Sequence, residues 1–126
     1  CIYYGNAYFK NRKKLYDGSF SSFKLALRNI CHQSVFYPAK ILKNESFLLK
    51  YPFLSDYALN LKLYKTYCFK YVGLCVCIFN DNARSANSAD KAFEKDKLQL
   101  IKDNLGWLPY MYAKSRRFIK RISRRK

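Results

Sequence analysis

Two short segments of the chain contain the residue types that could carry out acid–base chemistry. Residues 29–37 include the only histidine, His32, next to Gln33, and residues 54–63 place a lone carboxylate, Asp56, at the start of an apolar segment with helical spacing. A carboxylate in such a position can act as a general base. The first turn of a helix also favours negative charge by about 0.3–1 kcal/mol, so complementarity to the helix dipole is an alternative explanation for Asp56.

His32 and Gln33 lie in a segment, residues 30–37, that is typical of a β-strand. Successive side chains of a strand point to opposite faces, so we expect one of the two to face the core and the other a site. A buried, hydrogen-bonded histidine and a contact with sugar or phosphate are both compatible with this pattern. No residue with ligand spacing supports a metal at His32, and no orienting partner supports Cys31 as a nucleophile.

The composition describes one folded domain with a strong positive charge. The chain has 126 residues, of which 50% are hydrophobic, and a formal net charge of +17. That apolar content is sufficient for a core. Eight of the basic residues fall within residues 114–126, and such a charge favours anionic partners: nucleotide diphosphates, nucleic acids or anionic lipids.

The five cysteines indicate neither a disulfide framework nor a zinc site, so a reducing cytosol is the expected compartment. Cys75 and Cys77 lie in a strand-like run and are predicted to be buried structural residues. There is no signal-peptide pattern, and the longest apolar run, residues 71–79, is too short to cross a bilayer.

The order of predicted elements is that of an α/β or α+β layer structure. The patterns predict strands over residues 1–9, 14–16, 30–37 and 67–79, the last of them an interior strand covered on both faces. They also predict a short helix capped by Ser21 or Ser22 and a mostly buried helix capped by Ser55. Pro38 either ends the third strand or starts a helix that contains Ile41 and Leu42. A polar loop, residues 80–88, precedes a helix over residues 89–105 that Gly106 ends, and Pro109 begins a final helix.

The order of four motifs carries a resemblance to a known family. These are Tyr4-Gly5-Asn6, residues 29–33, residues 55–61 and Phe79-Asn80-Asp81 at the end of an apolar strand. Over residues 2–108 the chain resembles the C-terminal half of bacterial family 2 glycosyltransferases of the polysaccharide and lipopolysaccharide type, which have the GT-A fold. The resemblance implies an α/β fold: the C-terminal portion of a GT-A-like mixed sheet flanked by helices.

The resemblance also implies the activity and its residues. Residues 1–108 would be the acceptor-side part of an inverting enzyme that transfers a sugar from a nucleotide-sugar to a glycan or lipid-linked acceptor. Asp56 would be the catalytic base, and substrate contacts would come from Tyr4, Asn6, His32, Gln33 and Arg84. The related enzymes bind a divalent cation, Mg²⁺ or Mn²⁺, through an Asp-x-Asp motif that this chain lacks. We therefore expect that motif and the donor-binding half upstream of Tyr3. Asn6 stands where the related enzymes often have Asp, and Ala83 and Arg84 stand where they often have glycine and serine.

The final segment, residues 109–126, is predicted to be a basic amphipathic helix. Its apolar stripe beside a cationic face is typical of helices that lie on anionic membranes, which would place the protein in the cytoplasm, peripheral to the inner face of the cell membrane. A terminal helix packed on the domain is the alternative.

A nucleic-acid-binding module is the rival function, since 18% of the residues are aromatic and many others are basic. Core packing explains most of those aromatic residues, however, and no nucleic-acid-binding motif is present, so nucleic acid is the less favoured partner. A non-catalytic remnant of a glycosyltransferase is a further alternative.

Overall fold

The computed structural model describes residues 1–82 and 89–125. The predicted substrate contact at Arg84 lies outside the described residues. The elements, in chain order, are β1 (Ile2–Phe9), β2 (Lys14–Tyr16), α1 (Ser22–Leu27), a 3₁₀ turn (His32–Ser34), β3 (Val35–Phe36), α2 (Ala39–Asn44), α3 (Ser55–Thr66), β4 (Phe69–Phe79), α4 (Lys91–Leu105) and α5 (Trp107–Arg125). This mixed composition confirms the α/β class.

The sheet is built around β1. Along one edge of β1, β2 and β3 pair antiparallel with its two ends, so that Ala7 lies opposite Tyr16 and Tyr4 opposite Val35. Along the other edge β4 pairs parallel, with Tyr4 opposite Tyr71. The sheet is therefore mixed, and the carboxyl ends of β1 and β4 meet at one end of it.

Gly5 allows β4 to approach β1 closely. A Cβ atom at this position would lie 2.6 Å from the carbonyl oxygen of Leu74 and 2.8 Å from a methyl carbon of Val76, which is too close for any side chain. The register between β1 and β4 shifts on either side of Asn6, which marks a β-bulge. Gly73, within the bulged part of β4, has a positive φ of 69°, a conformation that glycine adopts without strain.

The prediction that β4 is an interior strand was wrong. Within residues 1–82 and 89–125, no strand pairs with its second edge, and Leu74 and Ile78 are 65% and 70% exposed. Cys75 is exposed and Cys77 only half-buried, so their predicted burial was also wrong. Apolar residues at both the odd and the even positions show that a strand could bury both of its faces. The order of the strands in the sheet, however, decides whether anything covers those faces.

The core lies between the sheet and three helices. Helix α3 is buried on most sides, as predicted, and its Tyr57 and Leu61 pack with Leu25 of α1 and with Phe93 and Ile101 of α4. The rings of Tyr57 and Phe93 are 4.9 Å apart, and the hydroxyl of Tyr57 donates to the carbonyl oxygen of Leu25 at 2.5 Å.

The helix ends agree with the predictions in part. Ser21 caps α1 by accepting a hydrogen bond from the amide of Lys24, and Gly106 ends α4 with a φ of 93°. Ser55 is instead the first helical residue of α3, and Leu54 occupies the cap position without a side-chain bond. Helix α4 starts at Lys91, because Asp90 caps it.

Helix α5 starts at Trp107, two residues before the predicted Pro109. Proline is tolerated there because the first amides of a helix have no partner within it. None of the described helices combines the length and the apolar character that a membrane span requires.

Candidate functional site

A cavity of about 590 Å³ opens where the carboxyl ends of β1 and β4 meet the start of α3. Asp56, His32, Asn29 and Tyr37 line it from the helical side, and Phe9 and Asp81 from the end of the sheet. The carboxyl ends of parallel strands are the usual position of ligand sites in α/β proteins. Asp56 and His32, two of the predicted site residues, therefore share one cavity.

Asp56 lies half-buried in the first turn of α3. The side-chain amide of Asn29 donates a hydrogen bond of 2.7 Å to its Oδ2 atom. Burial raises the pKa of Asp56 above its ordinary value, although nearby His32 and the hydrogen bonds to the carboxylate act in the opposite direction. A carboxylate whose pKa is raised is a stronger base, which suits a group that must take a proton.

A chain of three hydrogen bonds fixes the amide that holds Asp56. The hydroxyl of Tyr37 donates to Oδ1 of Asn60 at 2.5 Å, Nδ2 of Asn60 donates to Oδ1 of Asn29 at 2.9 Å, and Nδ2 of Asn29 then donates to Asp56. Because the oxygen of Asn29 is already used as an acceptor, its nitrogen must face the carboxylate. Burial raises the pKa of Tyr37, so its hydroxyl stays protonated and remains a donor.

The backbone of Asn29 is also held in place. Its carbonyl oxygen accepts a hydrogen bond of 2.6 Å from the hydroxyl of Tyr16. Burial, followed by the charge of Asp17, raises the pKa of Tyr16 to about 12. Neutral Tyr16 therefore holds the main chain of Asn29 directly, and neutral Tyr37 holds its side chain through Asn60.

A second carboxylate in the cavity, Asp81, has the opposite environment. The backbone amides of Asn11 and Arg12 donate to it at 2.8 and 3.2 Å, and the guanidinium of Arg12 lies 3.3 Å away. Although burial opposes the effect, hydrogen bonds from these amides lower the pKa of Asp81. Asp81 joins the end of β4 to the turn after β1.

The two carboxylates are thus suited to different roles. When the environments of two acids move their pKa values apart, the acid with the raised value is the candidate for proton transfer and the other stays ionised. Asp56 is therefore the candidate base, and Asp81 is a structural anion at the wall of the cavity.

His32 and Gln33 do not alternate across a strand, because they lie in a 3₁₀ turn. Both are exposed, and only His32 lines the cavity, with its ring edge-on to Phe79 at 5.6 Å between ring centres. The expectation that one of them faces the core was wrong. Next to them, burial raises the pKa of Cys31 to about 11, so its thiol is protonated near neutral pH and is a poor nucleophile.

Tyr4 and Asn6 do not line the cavity. Tyr4 is buried, and its hydroxyl accepts a hydrogen bond of 2.7 Å from the amide of Phe20. Asn6 is buried as well; its Nδ2 atom donates to the hydroxyl of Tyr71 at 2.7 Å and its Oδ1 atom accepts from the amide of Gly18 at 2.8 Å. These contacts give both residues a role in holding the sheet to the segment between β2 and α1.

Aromatic rings form the wall of the cavity at the end of the sheet. Phe9 stacks on Tyr16 with ring centres 4.7 Å apart and lies 5.0 Å from the ring of Phe79. A wall of aromatic carbon beside a few oriented polar groups is the usual lining of a site for a small organic ligand. It could contact the apolar face of a sugar ring.

Within residues 1–82 and 89–125 there is no group of three or more His, Cys, Asp or Glu side chains that could hold a metal ion. Asp81 is engaged by backbone amides and Arg12, and Asp56 by Asn29.

Asn29, Asn60 and Tyr37 had no assigned role in the sequence-based interpretation, although all three lie in or beside its two key segments. One signal could have identified Asn60: it is the one polar residue in the sequence Ala58-Leu59-Asn60-Leu61 of a helix that is predicted to be buried. A buried amide requires hydrogen-bond partners, and here those partners are part of the site.

In comparisons with known proteins, no family model, curated protein or solved structure matches this chain.

Proposed function

We propose that this chain forms the acceptor side of an inverting glycosyltransferase that acts in cell-surface polysaccharide or lipopolysaccharide synthesis. The observation that carries the proposal is the carboxylate of Asp56, which has a raised pKa, a fixed hydrogen-bond partner and access to an aromatic-walled cavity. The resemblance of the motifs around Asp56 to family 2 enzymes supports the same assignment.

In this mechanism Asp56 takes the proton from an acceptor hydroxyl. The hydroxyl oxygen attacks the anomeric carbon of a nucleotide-sugar, the bond to the nucleoside diphosphate breaks, and the diphosphate leaves with the bonding electrons. The new glycosidic bond then has inverted configuration, and the proton remains on Asp56 until solvent accepts it. A positioned base of this kind contributes about 10²–10⁴-fold to a rate.

The cavity supports a sugar as the acceptor. Its volume of about 590 Å³ lies in the range typical of small-molecule sites, and its lining pairs Phe9 and Phe79 with the polar groups of Asp56 and His32. Ring faces can pack on an acceptor sugar, while His32 is placed to donate to a hydroxyl or phosphate oxygen.

The donor side of the reaction needs a nucleotide-sugar and a divalent cation. In a GT-A-like sheet the nucleotide-sugar and its divalent cation, Mg²⁺ or Mn²⁺, are bound by the half of the domain that carries the Asp-x-Asp motif. We propose that β1–β4 are the acceptor-side part of such a sheet.

The decisive experiment measures sugar transfer from a nucleotide-sugar by the protein and compares its Asp56→Asn and Asp103→Asn variants. Asp103 is an exposed carboxylate on α4, so its substitution makes the same chemical change away from the cavity. We expect Asp56→Asn to lower kcat by about 10²–10⁴-fold and Asp103→Asn to leave it unchanged. Circular dichroism of both variants controls for folding. Transfer by Asp56→Asn within a few-fold of the unsubstituted protein would remove Asp56 as the base.

We further propose that α5 attaches the protein to the anionic inner face of the cell membrane. Exposed apolar side chains form a stripe along the helix: Trp107, Leu108, Met111, Phe118, Ile119 and Ile122. Basic residues accompany the stripe, and each basic residue near an anionic surface contributes about 1 kcal/mol to binding. An amphipathic helix with this arrangement lies in the membrane interface.

Flotation with phosphatidylserine-containing vesicles tests this attachment. Replacing Phe118 and Ile122 with serine should abolish flotation without unfolding the protein, because both side chains are exposed. Leu49→Ser is the control, since Leu49 is 91% exposed and lies outside α5. Equal binding of the unsubstituted protein to neutral and anionic vesicles would contradict the electrostatic part, and unchanged flotation of the double variant would contradict the role of the stripe.

A further inference from the structure

A second cavity, of about 720 Å³, lies between the end of α1, the first half of α4 and the second half of α5. Ala26 and Leu27 contribute to it from α1, Leu98 from α4 and Ala113 from α5. Leu54 lines both this cavity and the one that contains Asp56, so the two are neighbours.

The walls of the second cavity are strongly cationic. Six basic side chains line it: Lys97, Arg116, Arg117, Lys120, Arg121 and Arg124. The acidic lining residues are Asp90 and Glu94. Asp90 is already occupied, because it accepts hydrogen bonds from the amides of Phe53, Leu54 and Phe93.

The positive charge of this cavity is not balanced by ion pairs. Among the described residues, none of the six basic side chains forms an ion pair. Arg117 and Lys97 reach only backbone carbonyl oxygens, those of Glu94 and Leu27, at 3.5 Å each. Guanidinium groups carry several donors, and within residues 1–82 and 89–125 most of the donors at this cavity remain available to a ligand.

Lys97 shows the electrostatic consequence of the clustering. Its side chain is half-buried, with Nζ 5.3 Å from the ring centre of Tyr57. Burial lowers the pKa of Lys97, the charges of Lys120 and Arg117 lower it further, and Glu94 opposes them. An anion bound between these cations would remove the repulsion.

Helix α5 packs on the domain through its first half, where Pro109 and Ala113 are buried. In its second half the side chains that line the cavity are basic, and Arg116, Lys120, Arg121 and Arg124 are exposed. These cations are therefore open to an anionic ligand that enters from solvent.

We propose that the cavity between α1, α4 and α5 is a binding site for a phosphate or diphosphate group. Arginine fits phosphate oxygens with two parallel hydrogen bonds, and a lysine between arginines adds a point charge. The lining residues, six basic against two acidic, match the charge of a diphosphate better than that of a singly charged carboxylate. The site does not involve Asp56 and stands independently of the proposed transfer reaction.

Calorimetric titration of the full chain with inorganic pyrophosphate tests the site directly. Arg117→Gln/Lys120→Gln removes two cavity cations, and Lys114→Gln/Arg125→Gln removes the same charge from α5 outside the cavity. We expect the first pair to weaken pyrophosphate binding by about tenfold or more and the second by less than about threefold, since exposed charges at a distance are screened by salt. Circular dichroism establishes that both variants are folded.

Vesicles distinguish a lipid phosphate from a soluble one. Phosphatidic acid carries a phosphomonoester and phosphatidylserine a phosphodiester, so the two are compared at equal surface charge. Preference for phosphatidic acid that Arg117→Gln/Lys120→Gln abolishes would support the site with a lipid headgroup as its ligand. Pyrophosphate binding without that preference would support it with a soluble ligand.

Three results would overturn the proposal. The first is absence of both pyrophosphate binding and phosphatidic acid preference. The second is equal weakening in the two variant pairs, which would indicate a diffuse field rather than a site. The third is binding of a single-stranded oligonucleotide that pyrophosphate cannot displace and that Arg117→Gln/Lys120→Gln abolishes, which would assign the cavity to nucleic acid.

Discussion

Replacing Asn60 with alanine tests whether the buried hydrogen-bond chain positions Asp56. Asn60 is fully buried and joins two groups: it accepts from the hydroxyl of Tyr37 at 2.5 Å and donates to Oδ1 of Asn29 at 2.9 Å. Alanine can do neither. Both partners would then lose a hydrogen bond, although each is half-buried and lines the cavity.

The expected loss of stability follows from these two contacts. Each buried group left unpaired costs about 1–3 kcal/mol, and the larger figure applies where water cannot enter. Tyr37 and Asn29 are both half-buried beside the cavity and can recover part of this loss from water, so we expect Asn60→Ala to lower the free energy of unfolding by about 1–3 kcal/mol. The void left by the amide adds to this cost.

The substitution also has an effect at the site. The hydrogen bond from Asn29 is one of the contacts that hold the pKa of Asp56 down against burial. Without Asn60, the amide of Asn29 is free to rotate, and the pKa of Asp56 should rise further. Carbon-detected NMR of the Asp56 carboxyl group across a pH series measures this directly.

Urea unfolding measures the stability, with Asn44→Ala as the control. Asn44 is exposed at the end of α2, so its loss should change the free energy of unfolding by less than about 0.5 kcal/mol. A decrease below about 1 kcal/mol for Asn60→Ala would refute the energetic reasoning. An unchanged pKa of Asp56 in a destabilised variant would refute the positioning role.

Two further substitutions give expected outcomes that depend on other features. Burial raises the pKa of Asp56 in the folded protein, so its ionisation lowers the stability as the pH rises from the pKa of the unfolded state through that of the folded state. Asparagine has no charge to bury. Asp56→Asn should therefore be more stable than the unsubstituted protein at pH 7, and the difference should vanish in acid. A pH series of urea melts measures this, and a constant difference would contradict it. Gly5→Ala should lower stability by about 1–3 kcal/mol, because its Cβ would meet the Leu74 carbonyl oxygen at 2.6 Å. Adding Val76→Ala should rescue little of this loss, since the backbone oxygen remains; full rescue in thermal melts would show that the side chain was the obstacle.

The sequence predicted correctly those elements whose signals come from residues close together in the chain. The first two strands, the Ser21 cap, the buried third helix and the end of α4 at Gly106 all depend on residues within a few positions of each other. Asp56 at the start of a helix followed from the same kind of local pattern. So did the helix that follows Pro38.

The 3₁₀ turn at His32 shows where local reasoning fails. Ile30, Val35 and Phe36 gave the segment a strand-like composition, but Ser34 bonds back to the carbonyl oxygen of Cys31 through both its amide, at 2.9 Å, and its hydroxyl, at 2.8 Å. A serine that bonds to its own backbone competes with strand pairing. Only Val35 and Phe36 then remain as β3.

The partners of Asp56 could not be predicted because they are distant in the chain. Asn29 is 27 residues away from Asp56, and Asn60 is 31 residues away from Asn29. Only the packing of α3 beside the segment after α1 brings them together. For the same reason the sequence did not show that Asp81 holds the turn after β1, or that α5 turns its cations toward a cavity.

The second edge of β4, with which no strand in the described part of the chain pairs, has a consequence for how this protein exchanges its amide hydrogens. Along the eleven residues of the strand, amides that point toward β1 are held in the ladder, whereas those between them point away from it. Outside the bulged part around Gly73, amides of β4 that point away from β1 meet water and should exchange rapidly, while their neighbours in the ladder stay protected. A fast and slow alternation along one strand would therefore report its open edge without any loosening of the sheet. An extended segment from another molecule that paired with this edge would protect the fast-exchanging amides and remove the difference between them and their neighbours.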